Sequence, residues 1–195
     1  MPEQLNGKRV AALVTKGFEQ IELLDPREAL EAVGATVHVV APEADKVHGW
    51  NHTDWGAEVK VDRRLDDTRA DDYDALLLPS GVMNPDRLRT IPKAVELVRQ
   101  FFDDGKPIAV ICHGAWTLVE AEVVEGVTIT SYPSLRTDLE NAGANWVDQQ
   151  VVVDRGIVSS RKPDDLPAFN QKMIEEFAEG RHGGAGTRRR ARTSV

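Results

Sequence analysis

The sequence predicts an α/β domain: a doubly wound sandwich with a mainly parallel central sheet and a small β-hairpin beside it. Three observations predict it. Four short apolar or β-branched runs, RVAALV (9–14), TVHVVAP (36–42), DALLLP (74–79) and PIAVI (107–111), read as strands buried on both faces. Stretches with helical spacing alternate with them, a strand–helix rhythm that belongs to parallel sheets. The 195 residues contain no repeat and no internal linker, so residues 1–179 read as one domain around one core.

The elements follow in order. After the first run comes a helix from Glu19 to Val33, in which Ile21, Leu24, Ala29, Leu30 and Val33 recur at helical spacing and Gly34 supplies the stop. The run at 36–42 is β-branched and ends at Pro42. Residues 43–73 break the rhythm; there VHGW and AEVKV pair as the hairpin. The strand at 74–79 closes on Ser80-Gly81. A helix spans Pro92 to Asp103, with proline in its first turn. The strand at 107–111 leads straight into Cys112-His113-Gly114 and a helix running towards Glu125. VTIT (127–130) is a further strand. Residues 134–143 form a helix with Ser134 as N-cap and Gly143 as stop. Asp154-Arg155-Gly156 turns between two strands, and Leu166 to Glu179 is the last helix.

Composition narrows the functions. No apolar stretch reaches the roughly 18 residues of a membrane helix, and the N-terminus has no signal-peptide pattern, so a cytoplasmic protein without membrane contact is expected. A single cysteine excludes an internal disulfide and suits a reducing compartment. Net charge is −8, although residues 180–195 carry five arginines and no acid. The body is therefore more acidic still and repels a phosphate backbone. The Arg-rich tail is expected to be disordered, with contact to nucleic acid or an acidic partner open to it. His48 and His52, with only Asp54 close by, make a poor zinc set, so no metal and no cofactor are expected. The neighbouring Trp50 and Trp55 suit an assembly contact better.

The chemistry-bearing residues fall at the strand ends, where doubly wound sheets bind ligands. Cys112 lies at a sharp strand-to-helix turn, which exposes a nucleophile and places it at a helix N-terminus. Both effects are expected to lower a thiol pKa. Gly114 allows close approach of backbone and substrate. Glu19 and Glu22 share a helix face; capping is the stronger reading for Glu19. Glu22, if it faces Cys112, is expected to be protonated and to donate to sulfur and move a proton. Gly81 and His113 can offer backbone N–H groups as an oxyanion hole. His113 directly follows the nucleophile, so its side chain starts in a different direction and general-base action carries less weight than orientation.

The set GFEQIEL, LLLPSG, NPDRLR, AVICHGAW, TSYPSLRTDLENAGANWVD and VVVDRGIVSSRKPDDLPAF, across about residues 8–178, resembles the PfpI-type branch of the cysteine-dependent intracellular proteases, glyoxalases and deglycases. That group sits in the class I glutamine amidotransferase-like superfamily with the parkinsonism-associated stress protein. The resemblance implies a flavodoxin-like fold with Cys112 as nucleophile. It implies Glu22 bonded to the thiol with Glu19 nearby, His113 at the site, and oxyanion amides from Gly81 and His113. It also implies a homo-oligomer in which an acid approaches the histidine from a neighbouring subunit. Asp86 holds that position here, one methylene shorter than the usual Glu. Where the pattern has Gly-Gly, this chain has Ser80-Gly81. The expected function is a stress-response hydrolase that attacks reactive carbonyls, such as methylglyoxal or its protein adducts, or peptide bonds. The alternative is a redox sensor or chaperone-like protein acting through oxidation of Cys112.

Overall fold

The computed structural model describes residues 4–182. Its strands and helices, in chain order, are β1 (Arg9–Leu13), β2 (Phe18–Glu19), α1 (Gln20–Ala32), β3 (Thr36–Ala41), β4 (Lys46–Asn51), β5 (Asp54–Lys60), β6 (Arg63–Arg64) and β7 (Ala75–Leu78). There follow α2 (Met83–Leu88), α3 (Pro92–Asp103), β8 (Ile108–Ile111), α4 (Ala115–Glu120), β9 (Thr128–Ile129), α5 (Arg136–Asn141), β10 (Asn145–Trp146), β11 (Val151–Asp154), β12 (Ile157–Ser160) and α6 (Leu166–Glu179).

One seven-stranded sheet runs β11-β12-β8-β7-β1-β3-β6. Every pairing is parallel except β11 with β12. The run β3-β1-β7-β8-β12 is the 2-1-3-4-5 order of flavodoxin-like sheets, and its topological switch lies between β1 and β7. Alternate residues of the central strands enter two separate cores. Ala11, Leu13, Leu76, Leu78, Ile108 and Val110 face one, and Val10, Ala12, Leu77, Ala109 and Ile111 the other. Burial on both faces is why these strands read as unbroken apolar runs. Helix α3 buries Ala94, Leu97, Val98, Phe101 and Phe102, a single face at helical spacing.

The hairpin β4–β5 stands beside the main sheet and gains a third strand from β2, which pairs in parallel with Gly49 and Trp50. It is tied to the first turn of α1, because the Ala57 N–H donates to Gln20 Oε1 at 2.6 Å. Trp55 meets Trp50 edge-on at 5.3 Å, and Lys16 lies over its ring.

Several expected boundaries move. Residues 83–88 form a helix that their apolar spacing does not announce, since its buried positions are Asn84, Pro85 and Leu88. Helix α4 stops at Glu120, well short of Glu125, and Glu122 then takes a left-handed backbone with φ 55°. Strand β9 joins β10 in a small separate sheet. Ser134 does not cap a helix: it sits in a 3₁₀ turn, and no side-chain cap is made there. The chain also stays attached past Glu179, where the His182 N–H donates to Gly105 O at 2.8 Å. The expected disordered tail otherwise falls on residues 183–195, outside the described residues. Among the described residues, no helix is long and apolar enough to cross a membrane.

Candidate active site

The site forms at the switch of the sheet, where three loops converge. Asn84 fastens two of them: its Oδ1 accepts the Thr15 N–H after β1 at 2.7 Å, and its Nδ2 donates to Pro79 O after β7 at 2.9 Å. The Glu19 N–H donates to Ser80 O at 2.8 Å. Gly81 makes this approach possible. Its φ is +88°, and a Cβ there would lie 2.6 Å from Gly17 O and 2.7 Å from Glu19 N. The third loop is the turn of Cys112. Gly114 packs it down, since a Cβ at that position would meet Leu78 O at 2.8 Å. The close approach that Gly114 allows is thus, in the fold, that of the turn against the end of β7.

Cys112 has φ 59°, a left-handed conformation uncommon for a residue with a side chain. It opens a single 3₁₀ turn, Cys112–Gly114, ahead of the six-residue α4. The turn folds the next side chain back. His113 Nδ1 lies 3.2 Å from Cys112 Sγ, although the two residues are adjacent. The ring is held from outside by stacking on Tyr132 at 4.7 Å and by the edge of Trp116 at 5.4 Å. Its Nε2 lies 3.3 Å from Ser134 Oγ. Burial lowers the His113 pKa, which keeps the ring neutral at pH 7.

Glu22 lies in the first turn of α1 and is fully buried. Pro26 lacks the N–H that would otherwise bond the Glu22 carbonyl in the helix. The carboxyl faces Ser80 and Cys112, yet neither oxygen meets strict hydrogen-bond geometry with any partner. Burial first, and the charge of Glu19 second, push its pKa up to about 8. Glu19 makes no side-chain cap; burial raises its pKa too, partly offset by His52.

The thiol departs from the sequence expectation. Cys112 is only 8% exposed. Burial and then the Glu22 charge push the thiol pKa up, outweighing the downward pull of Ser80 and the His113 N–H. A short helix and an enclosed sulfur explain the sign: desolvation acts on the whole charge, whereas a turn of helix offers a fraction of one. The second upward cause vanishes whenever Glu22 carries a proton. The acidities of carboxyl and thiol therefore depend on each other.

Ser80, which the sequence marked only as a departure from the Gly-Gly pattern, stands at the centre of this group. It is fully buried, and its Oγ accepts the His113 N–H at 2.9 Å. The signal was a lone polar residue closing an apolar strand. Asp86 lies elsewhere in the protomer, exposed on α2, its carboxylate without an ion pair or hydrogen bond among the described residues. It borders a groove of about 750 Å³ shared with Arg89, Pro92, Arg99 and Glu120, which does not include Cys112. His48 pairs with Glu58 at 3.3 Å rather than with His52. Among the described residues, one trio brings metal-binding atoms together: Glu176, Glu179 and His182. It lies by Gly105, ahead of β8, at the end of the sheet opposite Cys112, and His182 is already ion-paired with Glu176.

This geometry defines a class of flavodoxin-like α/β proteins with a cysteine seated beside a buried carboxyl at the sheet switch. The chain belongs to the DJ-1/PfpI family, whose sequence profile matches residues 8–176. It is 43% identical over 167 residues to a Bacillus subtilis protein named "Putative cysteine protease YraA", a match covering 86% of this chain and 96% of that one. General stress protein 18 of the same organism is 42% identical over 170 residues, covering 86% and 96%. Deglycase PfpI of Pyrococcus furiosus is 40% identical over 167 residues, covering 86% and 98%. Among solved structures, Drosophila melanogaster DJ-1beta superposes with a TM-score of 0.80 at 26% identity, covering 95% of this chain and 96% of that one.

Proposed function

We propose that this protein is a cysteine-dependent enzyme acting on small reactive carbonyls, with methylglyoxal or its early protein adducts as the substrate class. One observation carries the reading: a fully buried carboxyl, with a pKa near 8, faces the only thiol of the chain. Loss of one proton from the pair leaves a thiolate beside a neutral acid in one of its two tautomers. The thiolate adds to the aldehyde carbon, a C–S bond forms, and the carbonyl electron pair moves to oxygen, which takes the Glu22 proton to give a hemithioacetal. The Glu22 carboxylate then removes the proton from that carbon and returns it to the neighbouring one, while the hydroxyl proton passes to the neighbouring oxygen. The product is a lactoyl thioester on Cys112, which water cleaves to lactate and free thiol. His113 orients the sulfur through Nδ1.

Peptide cleavage is less well supported. With Cys112 only 8% exposed, a small aldehyde reaches sulfur more readily than a scissile bond with chain on both sides. The reading includes a homo-oligomer, to which Asp86, exposed and without an ion pair among the described residues, is available.

The test compares lactate production from methylglyoxal by wild type and Cys112→Ser. Loss of the nucleophile should lower turnover about a thousandfold or more. Equal lactate from both proteins would end the proposal.

A further inference from the structure

One of the two amides expected to form an oxyanion site, that of His113, is already engaged. A backbone N–H serves an oxyanion best at about 2.7–3.1 Å. Ser80 Oγ sits 2.9 Å from the His113 nitrogen, where a substrate oxygen would have to sit. The hydroxyl is fully buried, so in the resting protein water does not compete for the contact. Its own proton has a long contact with Gly81 O at 3.5 Å. Glu22 and Cys112 are its other polar neighbours, and both have their acidities increased by it.

We infer that Ser80 is a positioning residue that plugs the oxyanion site of the resting protein and stabilises the single negative charge of the Cys112–Glu22 pair. The inference rests on the carbonyl-addition reading and adds regulation to the same site. With its oxygen engaged by the His113 amide, Ser80 presents its proton to the pair, and an accepted hydrogen bond makes it a better donor. When a substrate oxygen arrives, it must displace Oγ to reach the amide. Ser80 therefore favours the thiolate before attack and resists the oxyanion after it. A glycine, which the resemblance leads one to expect here, would do neither.

Removing the hydroxyl should move two readouts in opposite directions, which a merely structural role would not do. In Ser80→Ala, the pH midpoint of Cys112 alkylation by iodoacetamide should rise, because the charge loses a donor. At pH values above that midpoint, kcat/KM for methylglyoxal should rise about fivefold, the worth of one displaced hydrogen bond. Hydrogen exchange of the His113 amide, read by NMR, should become faster. Ser80→Gly should reproduce all three if Ala packs poorly. An unchanged alkylation midpoint with unchanged His113 exchange overturns the inference, as does a fall in kcat/KM above the midpoint. If wild type makes no lactate, the carbonyl reading fails, and the plug is then judged on alkylation and exchange alone.

Discussion

Replacing Glu22 with Gln should change stability in a direction that favours the variant increasingly as pH rises. The carboxyl has a pKa of about 8 in the folded chain against an ordinary value of 4.5. A raised folded pKa means that the native state holds the proton more tightly than the unfolded state. Its contribution is complete below pH 4.5 and is lost as pH climbs to about 8. Each pKa unit corresponds to about 1.4 kcal/mol, so the loss is about 3 kcal/mol by pH 7 and about 5 kcal/mol once the window is crossed. Gln does not titrate and escapes this loss. Burying its amide without full hydrogen bonding costs about 1–3 kcal/mol, but that cost does not change with pH. Urea unfolding of both proteins at pH 5, 6, 7 and 8 separates the two contributions. The difference in unfolding free energy should move steadily in favour of Gln. A difference that stays flat with pH would refute the argument, because it would mean that Glu22 is not held protonated by burial.

Two further outcomes follow from the loops that build the site. Gly81→Ala should destabilise the fold by about 2–4 kcal/mol in thermal or urea unfolding, because it combines a left-handed backbone with a clash on Gly17 O and Glu19 N. Asn84→Ala should cost about 2–3 kcal/mol in the same assay, since it leaves the Thr15 N–H and Pro79 O without their buried partner. A loss below about 0.5 kcal/mol in either variant would contradict the role assigned to that residue.

The sheet was legible because its strands are buried on both faces. RVAALV, DALLLP and PIAVI leave no polar alternation that a helix or an edge strand would explain. Helix α2 was not legible, because it is anchored by the polar Asn84 and by Pro85 rather than by an apolar stripe. The end of α4 was hidden for a similar reason: nothing in Ala121-Glu122 resembles a stop, yet Glu122 takes the left-handed turn that glycine usually marks. At the site, residue type and strand-end position pointed to Cys112, Glu22 and Gly81, which the converging loops bring into one region. The sign of the thiol shift depends on how far the loops from β1 and β7 enclose sulfur, which no dipeptide reveals. Adjacency also misled for His113, since a positive φ at Cys112 turns neighbours that would diverge into a contact.

The account stands on Cys112 and Glu22 sharing a proton, and the rate of Cys112 alkylation against pH measures this most directly. Wild type should show two inflections: the first ionisation of the pair gives a partial population of thiolate, and the second completes it. Glu22→Gln should show one inflection, at a pH below the second of wild type, because the carboxylate that raises the thiol is gone. A single inflection in wild type, at the same pH as in the variant, would contradict the account.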